Sequence, residues 1–254
     1  MFYTDDHLSE IQGIKHGWSG VPPHTPRTFP NQEEAKRTRL TNRFYSTKQL
    51  KETTLTPLFL RQEHGTTVCH ASQAFVETYD PHHPPVGDAW VTNETNILLG
   101  VKTADCGPLL WCDPTSGVIA ATHAGWRGAL AGVIEATHQA MLALGAQTEK
   151  LVVALGPTIA QKSYEVGQEF KEIFLEKSQA CEMFFCQRAN RTYFDLPAFI
   201  IHKLRHLGIP CVRHLPHDTY TTSHLFSCRH SKQQGQWYGS NEALIVRTPQ
   251  KKGV

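Results

Sequence analysis

Two apolar segments joined by a turn constrain the folding of this chain more than any other feature. Residues 107–112 and 118–122 are almost entirely apolar, and the residues between them open with Asp-Pro and close with Gly117. This is typical of a β-hairpin turn, because proline fixes φ and glycine readily adopts a left-handed conformation. We therefore predict an antiparallel hairpin that folds about the bond between Pro114 and Thr115.

The open end of the predicted hairpin carries a thiol and an imidazole. Folding about that bond places Cys106 opposite His123, to within one residue. Opposed side chains on one face of a sheet lie about 5 Å apart at Cβ. A thiol and an imidazole at that separation form either half of a metal site or a nucleophile–base pair, and the hairpin by itself leaves both open.

His64 is a third candidate ligand. It follows a short apolar segment and precedes Gly65, so the backbone can turn sharply there and direct the imidazole into a cleft. With Cys106 and His123 it gives two imidazoles and one thiolate, and three protein ligands with an open fourth position are typical of catalytic zinc. Each of the three residues alone is compatible with ordinary packing, but together they favour a functional site.

Charged residues near these positions predict an anion site. Arg127 lies between two glycines at the start of a predicted helix, where exposed amides and a guanidinium would attract an anion. Arg61 and Arg229 are further candidates of the same type. Asp105 is expected to face away from Cys106 and to make a structural hydrogen bond.

Segments with strand and helix patterns are mixed along the 254 residues. Because the central hairpin is antiparallel, the pattern disfavours a doubly wound parallel sheet. We predict an α+β fold with mixed, largely antiparallel sheets layered with helices. Its length favours one compact domain over residues 1–254.

Composition and charge exclude some classes of partner. The net charge is +2 without a long basic run, which gives no reason to expect nucleic acid. No segment is long and apolar enough to span a bilayer, and the acidic start is unlike a secretion signal. Seven cysteines without a disulfide-like spacing predict free thiols in a reducing compartment, so we expect a cytoplasmic protein.

Successive short segments carry a family resemblance. The segments are Gln62–Gly65, Asp88–Thr92, Thr103–Pro108, His123–Gly128, Leu155–Ile159, Tyr164–Gly167, Asp195–Leu196 and Phe226–Arg229. In this order they resemble the signature blocks of the laccase-domain family, also called polyphenol oxidase, zinc-dependent purine nucleoside phosphorylase and peptidoglycan editing factor. The resemblance covers about residues 60–247, so it defines residues 1–55 least.

The resemblance implies a compact α+β domain and one zinc ion bound by His64, Cys106 and His123. It implies phosphorolysis of adenosine, inosine or methylthioadenosine, with adenosine deamination as an additional activity, so a purine nucleoside and phosphate are the expected partners. We assign catalysis to Cys106, His123 and Arg127. Substrate binding is assigned to Gln62, Arg127 and Arg229.

Three alternatives use the same residues differently. Cys106 as nucleophile and His123 as base would give a metal-free hydrolase or deamidase, which would suit a peptidoglycan editing factor. Thiolate and imidazole also accept copper, but one three-ligand set does not supply the several coppers of a polyphenol oxidase. A zinc-stabilised domain without catalysis is the third.

Two blocks depart from the family pattern. Residues 16–20 begin the usual N-terminal block, but the arginine expected soon after Ser19 is absent unless Arg27 substitutes for it. Near the C-terminus, residues 237–241 replace a block similar to Thr-Gly-Arg. Both changes are expected to affect phosphate or substrate binding and to leave the metal ligands in place.

Overall fold

A computed structural model of the chain describes residues 1–22 and 24–249. The strands are β1 Phe2–Tyr3, β2 Ile14–Ser19, β3 Thr28–Phe29, β4 Val68–His70, β5 Ala89–Thr92, β6 Leu99–Thr103, β7 Gly107–Cys112, β8 Ile119–Ala124, β9 Val152–Leu155, β10 Glu165–Val166, β11 Phe185–Arg188, β12 Arg191–Phe194, β13 Cys211–His214, β14 Trp237–Tyr238 and β15 Asn241–Arg247. The α-helices are α1 Asp6–Glu10, α2 Gln32–Leu50, α3 Gln73–Thr78, α4 Trp126–Ala131, α5 Val133–Ala143, α6 Gln168–Lys177, α7 Leu196–His206 and α8 Cys228–Gln233.

A six-stranded sheet with the order β13-β9-β7-β8-β5-β4 forms the centre of the fold. Its pairs β7–β8, β7–β9 and β5–β8 are antiparallel, whereas β13–β9 and β4–β5 are parallel. A second sheet, β1-β2-β15-β6, is antiparallel throughout. The predicted α+β class with mixed, largely antiparallel sheets is confirmed. Within the described part of the chain, no helix is long and apolar enough to cross a membrane.

The central sheet is buried on both faces. Leu109 and Trp111 of β7 belong to a core cluster on the face covered by α5, α6 and α7, and Leu110 belongs to a cluster shared with the second sheet through Ile245. Because successive side chains of a strand point to opposite faces, a strand buried on both sides is apolar at most positions, and a buried polar side chain such as Thr122 needs a hydrogen-bond partner. This explains the uninterrupted apolar segments of the hairpin.

The hairpin is confirmed, but its predicted register is wrong by two residues. Cys112 pairs with Ile119 and Pro108 pairs with His123, so Cys106 lies beyond the paired region. The Asp113 carboxylate accepts hydrogen bonds from the amides of residues 115 and 116, which closes a longer loop centred one residue later than predicted. An even offset preserves the alternation of side chains, and Cys106 therefore still lies on the side of His123.

A buried histidine links the first helix to the second sheet, and it gives this fold a testable pH dependence. Nε2 of His16 in β2 accepts a hydrogen bond from the amide of Asp5, the N-cap of α1, at 2.9 Å. Burial lowers the pKa of His16 to about 4, although the charge of Asp5 opposes this shift. In the unfolded chain the pKa returns to about 6.5, so the unfolded state gains a proton first as the pH falls.

We therefore expect full stability from this residue above pH 6.5 and a progressive loss toward pH 4. The loss reaches about 2–3 kcal/mol by pH 4.5. Urea unfolding between pH 7.5 and 4.5 measures it, and His16→Gln, which keeps an acceptor but does not titrate, should show a flatter profile than wild type. His7→Gln alters an exposed histidine and should keep the wild-type slope. Equal slopes for His16→Gln and wild type would contradict the assignment.

Candidate metal centre

His64, Cys106 and His123 meet at the open end of the hairpin. One potential ligand atom from each residue lies within 4.8 Å of the others. Sγ of Cys106 is 3.7 Å from Nε2 of His64, and the two imidazole rings are nearly perpendicular, with centroids 4.8 Å apart. A sulfur and a nitrogen bound to one zinc ion at about 2.3 Å and 2.0–2.1 Å, with a tetrahedral angle between the bonds, lie about 3.6 Å apart. The donor set, and the spacing of the Cys106–His64 pair, therefore fit one tetrahedral metal ion.

Tight turns place two of the three ligands. His64 has φ +62°, and Asp105, immediately before Cys106, has φ +99°. Left-handed backbone is unusual for residues other than glycine, although Asp and His tolerate it better than most. His123 lies in β8 and is buried, whereas His64 is exposed. The group thus has one side embedded in the protein and one side facing solvent.

The carboxylate of Asp88 positions both histidines. Its Oδ1 accepts hydrogen bonds from Nδ1 of His123 at 2.8 Å and from the backbone amide of His64 at 3.0 Å. Its Oδ2 accepts from the amides of Gly65 at 2.7 Å and Glu63 at 3.3 Å. With Nδ1 of His123 bound in this way, its Nε2 remains available as a ligand, as in many carboxylate–histidine–metal arrangements.

Sequence reasoning missed this role. Asp88 opens a segment that we quoted only as part of the resemblance and as a strand. Its one local signal is a carboxylate directly before the apolar residues of β5. Nothing nearby in sequence indicates which histidine it contacts, because its bonds reach residues 23 to 35 positions away.

The charges of the group stabilise one another. Burial raises the pKa of Cys106, but the charge of His123 and hydrogen bonds from both imidazoles outweigh burial and lower the pKa to about 7. Burial likewise opposes the charged form of His123, whereas Cys106 and Asp88 raise its pKa to about 9. In the protein without a metal, a thiolate is therefore accessible near neutral pH, and a thiolate is the form that binds metal.

Glycines near Arg127 provide the space that His64 occupies. A Cβ at Gly125 would lie 2.6 Å from Cδ2 of His64 and 3.0 Å from Sγ of Cys106. A Cβ at Gly128 would lie 2.8 Å from the carbonyl oxygen of Gly65. From the sequence, Gly125 and Gly128 are expected to form part of an anion-binding turn. In the structure they also allow the loop that carries His64 to pack closely.

Two cavities adjoin the three ligands. The larger cavity, of about 390 Å³, and the smaller cavity, of about 320 Å³, share four lining residues, namely His64, Ala104, Cys106 and Cys228. Both volumes are in the range of small-molecule sites. The exposed edge of the His64–Cys106–His123 group therefore faces two adjoining cavities, each of a size that suits a small molecule.

The predicted substrate residues have different surroundings. Gln62 lines the larger cavity, where its side-chain amide donates to the carbonyl of Lys102 at 2.7 Å and accepts from the Lys102 amide at 2.9 Å. Arg229 lines the smaller cavity. Arg127 is exposed, with its guanidinium 4.6 Å from the ring centre of Trp126, and it is not among the residues that line either cavity.

Two further charged residues of the sequence analysis can be placed. Arg61 lines the larger cavity and forms an exposed ion pair with Glu63 at 3.4 Å. Asp105 lines the smaller cavity, and its side chain accepts hydrogen bonds from Oγ1 of Thr219 at 2.6 Å and from the Arg229 amide at 2.7 Å. The structural hydrogen bond expected for Asp105 is therefore present.

The fold and the site define an α+β protein with a thiolate–imidazole group beside a small-molecule cleft. Residues 30–248 match the family described as multi-copper polyphenol oxidoreductase laccase. The chain belongs to this laccase-domain family, as the resemblance of its sequence blocks predicted.

Individual relatives agree with the assignment. A purine nucleoside phosphorylase of Rickettsia conorii is 34% identical over 166 residues, which are 65% of this chain and 66% of the relative. A protein named adenosine deaminase, from an unknown prokaryotic organism, is 41% identical over 87 residues, which are 34% of this chain and 33% of that protein. These matches span less than two thirds of either relative. A crystallised Neisseria meningitidis protein has a TM-score of 0.75 and 26% identity, covering 93% of this chain and 95% of that one.

Removal of the Asp88 charge should weaken metal binding. We expect Asp88→Asn to lower zinc affinity by about 10- to 100-fold, because the substitution removes the carboxylate that orients both histidines. Competition with a chromogenic chelator measures the affinity. Asp80→Asn is the matched control, since Asp80 contacts Nδ1 of His83 at 2.6 Å in an exposed pair. Equal affinity for Asp88→Asn and wild type would exclude the proposed role of Asp88.

A methyl group at Gly125 should displace the ligands. Gly125→Ala is expected to reduce the bound zinc well below one equivalent, because its Cβ would overlap His64 and crowd Cys106. Gly167→Ala is a matched control. Both glycines are helix N-caps with extended backbone and no side-chain capping bond, but a Cβ at Gly167 meets nothing within 4 Å. Metal analysis of the purified variants measures the zinc bound per chain. Full zinc occupancy in Gly125→Ala would contradict the packing argument.

Proposed function

We propose that the protein is a zinc-dependent purine nucleoside phosphorylase that acts on adenosine, inosine or methylthioadenosine. The observation that carries this proposal is the His64–Cys106–His123 group, which opens onto two adjoining cavities. A phosphorylase requires room for a nucleoside and for phosphate beside one reaction centre. The name of the Rickettsia relative supports the same reaction.

Zinc is the metal that we propose, with His64, Cys106 and His123 as its ligands. One thiolate and two imidazoles with an open fourth position suit zinc. Copper accepts the same donors, but the side chains that the structure describes form one group of three or more metal-ligating residues, too few for several coppers. Zinc bound there would supply Lewis-acid stabilisation of negative charge that develops on the substrate.

The protein's own residues bind and orient the reactants. Asp88 holds the His123 ring and the His64 backbone in place, so the open side of the group keeps a fixed direction toward the cleft. Arg229 and Arg127 supply positive charge for phosphate, and Arg127 extends from the helix turn next to the Trp126 ring of the smaller cavity. Gln62 binds the backbone of β6 and forms part of the wall against which the nucleoside lies.

A cysteine hydrolase is the alternative that uses the same residues without metal. Cys106, His123 and Asp88 do resemble a nucleophile, a base and an orienting acid, in that order. However, Nε2 of His64 also lies 3.7 Å from the same sulfur. A nucleophile needs one base, whereas a metal site needs several donors around one point, so the second imidazole favours the metal.

Adenosine deamination is a second candidate activity of the same site. The match to a relative named adenosine deaminase favours it. In this reaction water adds at C6 of the purine and ammonia leaves, so the nucleoside binds as before and phosphate is not consumed. All seven cysteines are free, which agrees with a reducing compartment, and we propose a cytoplasmic location.

Zinc-loaded protein incubated with inosine or adenosine, with and without phosphate, tests the proposal. We expect free base and ribose 1-phosphate only when phosphate is present, as measured by liquid chromatography. Cys106→Ala should lose both the zinc and at least 99% of the rate, because it removes the one anionic ligand. Cys186→Ala, at a half-buried free cysteine on β11, should retain both.

Three other outcomes would change this conclusion. Full activity in the presence of a chelator that removes all zinc would overturn the metalloenzyme. Inosine formed from adenosine without phosphate would establish the deaminase. No turnover of any nucleoside by fully zinc-loaded protein would reject both.

A further inference from the structure

We propose that the smaller cavity is the phosphate subsite, that Lys232 lines it as a cation beside Arg229, and that the nucleoside occupies the larger cavity. This inference rests on the proposed function, because it names the place of each reactant in that site. Lys232 was not singled out by sequence reasoning, and it lies in α8 three residues after Arg229.

Two cations share one face of α8. Residues three apart on a helix are neighbours, and Arg229 and Lys232 both line the smaller cavity. Two like charges in such positions repel each other unless an anion lies between them. Within the described residues Lys232 forms no ion pair, and its side chain is exposed at the cavity. The arrangement is what an incoming oxyanion would stabilise.

The guanidinium of Arg229 is already oriented. One of its nitrogens donates to the carbonyl of Glu165 at 2.7 Å, and its plane lies over the ring of Tyr164 at 5.3 Å. Its remaining donors form no other hydrogen bond within the described part of the chain. A guanidinium that is held in one orientation and keeps free N–H donors is suited to bind a tetrahedral oxyanion.

The acidic group of this cavity is engaged within the protein. Both oxygens of Asp105 accept hydrogen bonds, from the hydroxyls of Thr219 and Ser227 and from the amide of Arg229, and its charge also interacts with the Arg229 guanidinium. Its carboxylate therefore holds the start of α8 in position and is directed at protein donors. The cations of the larger cavity differ, because Arg61 pairs with Glu63 and Lys102 lies 5.2 Å from the ring centre of Phe59.

The two blocks that depart from the family pattern place no cation in the smaller cavity. Arg27, the residue that we considered as a substitute for the missing arginine, donates to the backbone carbonyls of Leu225 at 2.6 Å and Tyr220 at 2.8 Å, and also to that of Thr219. Its Nε and Nη2 donors are therefore used to hold the segment before α8. Arg27 is not among the residues that line either cavity.

The second altered block contributes to the other cavity. Trp237–Tyr238 pairs with Thr28–Phe29, so this block contacts the strand that directly follows Arg27 in a small antiparallel sheet. Tyr238, Gly239 and Ser240 then line the larger cavity. This block supplies an aromatic ring, which suits a purine, and no cation.

The chemistry requires reactants on two sides of one carbon. In phosphorolysis a phosphate oxygen forms a bond to C1′ of the ribose while the bond from C1′ to N9 of the purine breaks. The purine leaves with the electron pair and takes a proton. Because the entering oxygen and the leaving base lie on opposite faces of C1′, two cavities that meet at His64, Cys106 and Cys228 fit this displacement.

Lys232→Gln tests the assignment through separate Michaelis constants for the two substrates. With zinc-loaded protein we expect the KM for phosphate to rise about tenfold, as for loss of one charge-assisted hydrogen bond, and the KM for inosine to stay within twofold. Lys232→Arg should restore most of the phosphate affinity. Lys150→Gln is the control, since Lys150 is exposed beside β9 at the other end of the hairpin.

Titration of inorganic phosphate into zinc-loaded protein, followed by calorimetry, separates this inference from the proposed function. If phosphate binds wild type and binds Lys232→Gln about tenfold more weakly, the subsite is supported even when no nucleoside is cleaved. If nucleosides are cleaved but the KM for phosphate in Lys232→Gln equals that of wild type, the inference is overturned and the proposed function remains. A rise in the KM for inosine alone would also overturn it.

Discussion

The site depends on the hydrogen bonds that one buried carboxylate accepts. Asp88 binds the ring of His123 and the backbone of the turn that carries His64, so a single residue aligns two candidate ligands from separate parts of the chain. Without it, three backbone amides of the turn at His64 would lose their hydrogen-bond acceptor, and the His123 ring would lose the bond that orients it. The four bonds offset the cost of burying the carboxylate, and they keep the pKa of Asp88 below its ordinary value against the effect of burial.

The central sheet explains why the polar groups gather at one end. With both faces of β7 and β8 covered, a polar side chain within the strands needs a partner, as Thr122 has in Trp111 and Thr137, and the charged groups lie where the strands end. Asp113 closes the turn at one end of the hairpin, and Cys106 and His123 lie at the other. The glycines of the following turn complete the arrangement, because a side chain at Gly125 would occupy the space of the ligands.

The walls of the cleft are held by contacts other than those that hold the ligand group. The block at residues 237–241 pairs through β14 with β3, and Tyr238, Gly239 and Ser240 form part of the wall of the larger cavity. Arg27 supports the segment that leads into α8, and α8 in turn presents Arg229 and Lys232 to the second cavity. The ligand group itself is held by a separate set of contacts that centres on Asp88.

The sequence by itself determined the fold class, the hairpin and the membership of the family, because turn residues, apolar segments and short blocks are local signals. It also singled out His64, Cys106 and His123, which the structure brings together. Only the tertiary structure decided the register of the hairpin, the role of Asp88, the hydrogen bonds of Arg27 to the segment before α8 and the division of the cleft into two cavities. Each of these depends on hydrogen bonds or packing between residues that are distant in sequence, or on how a loop closes, and the local pattern does not specify those partners.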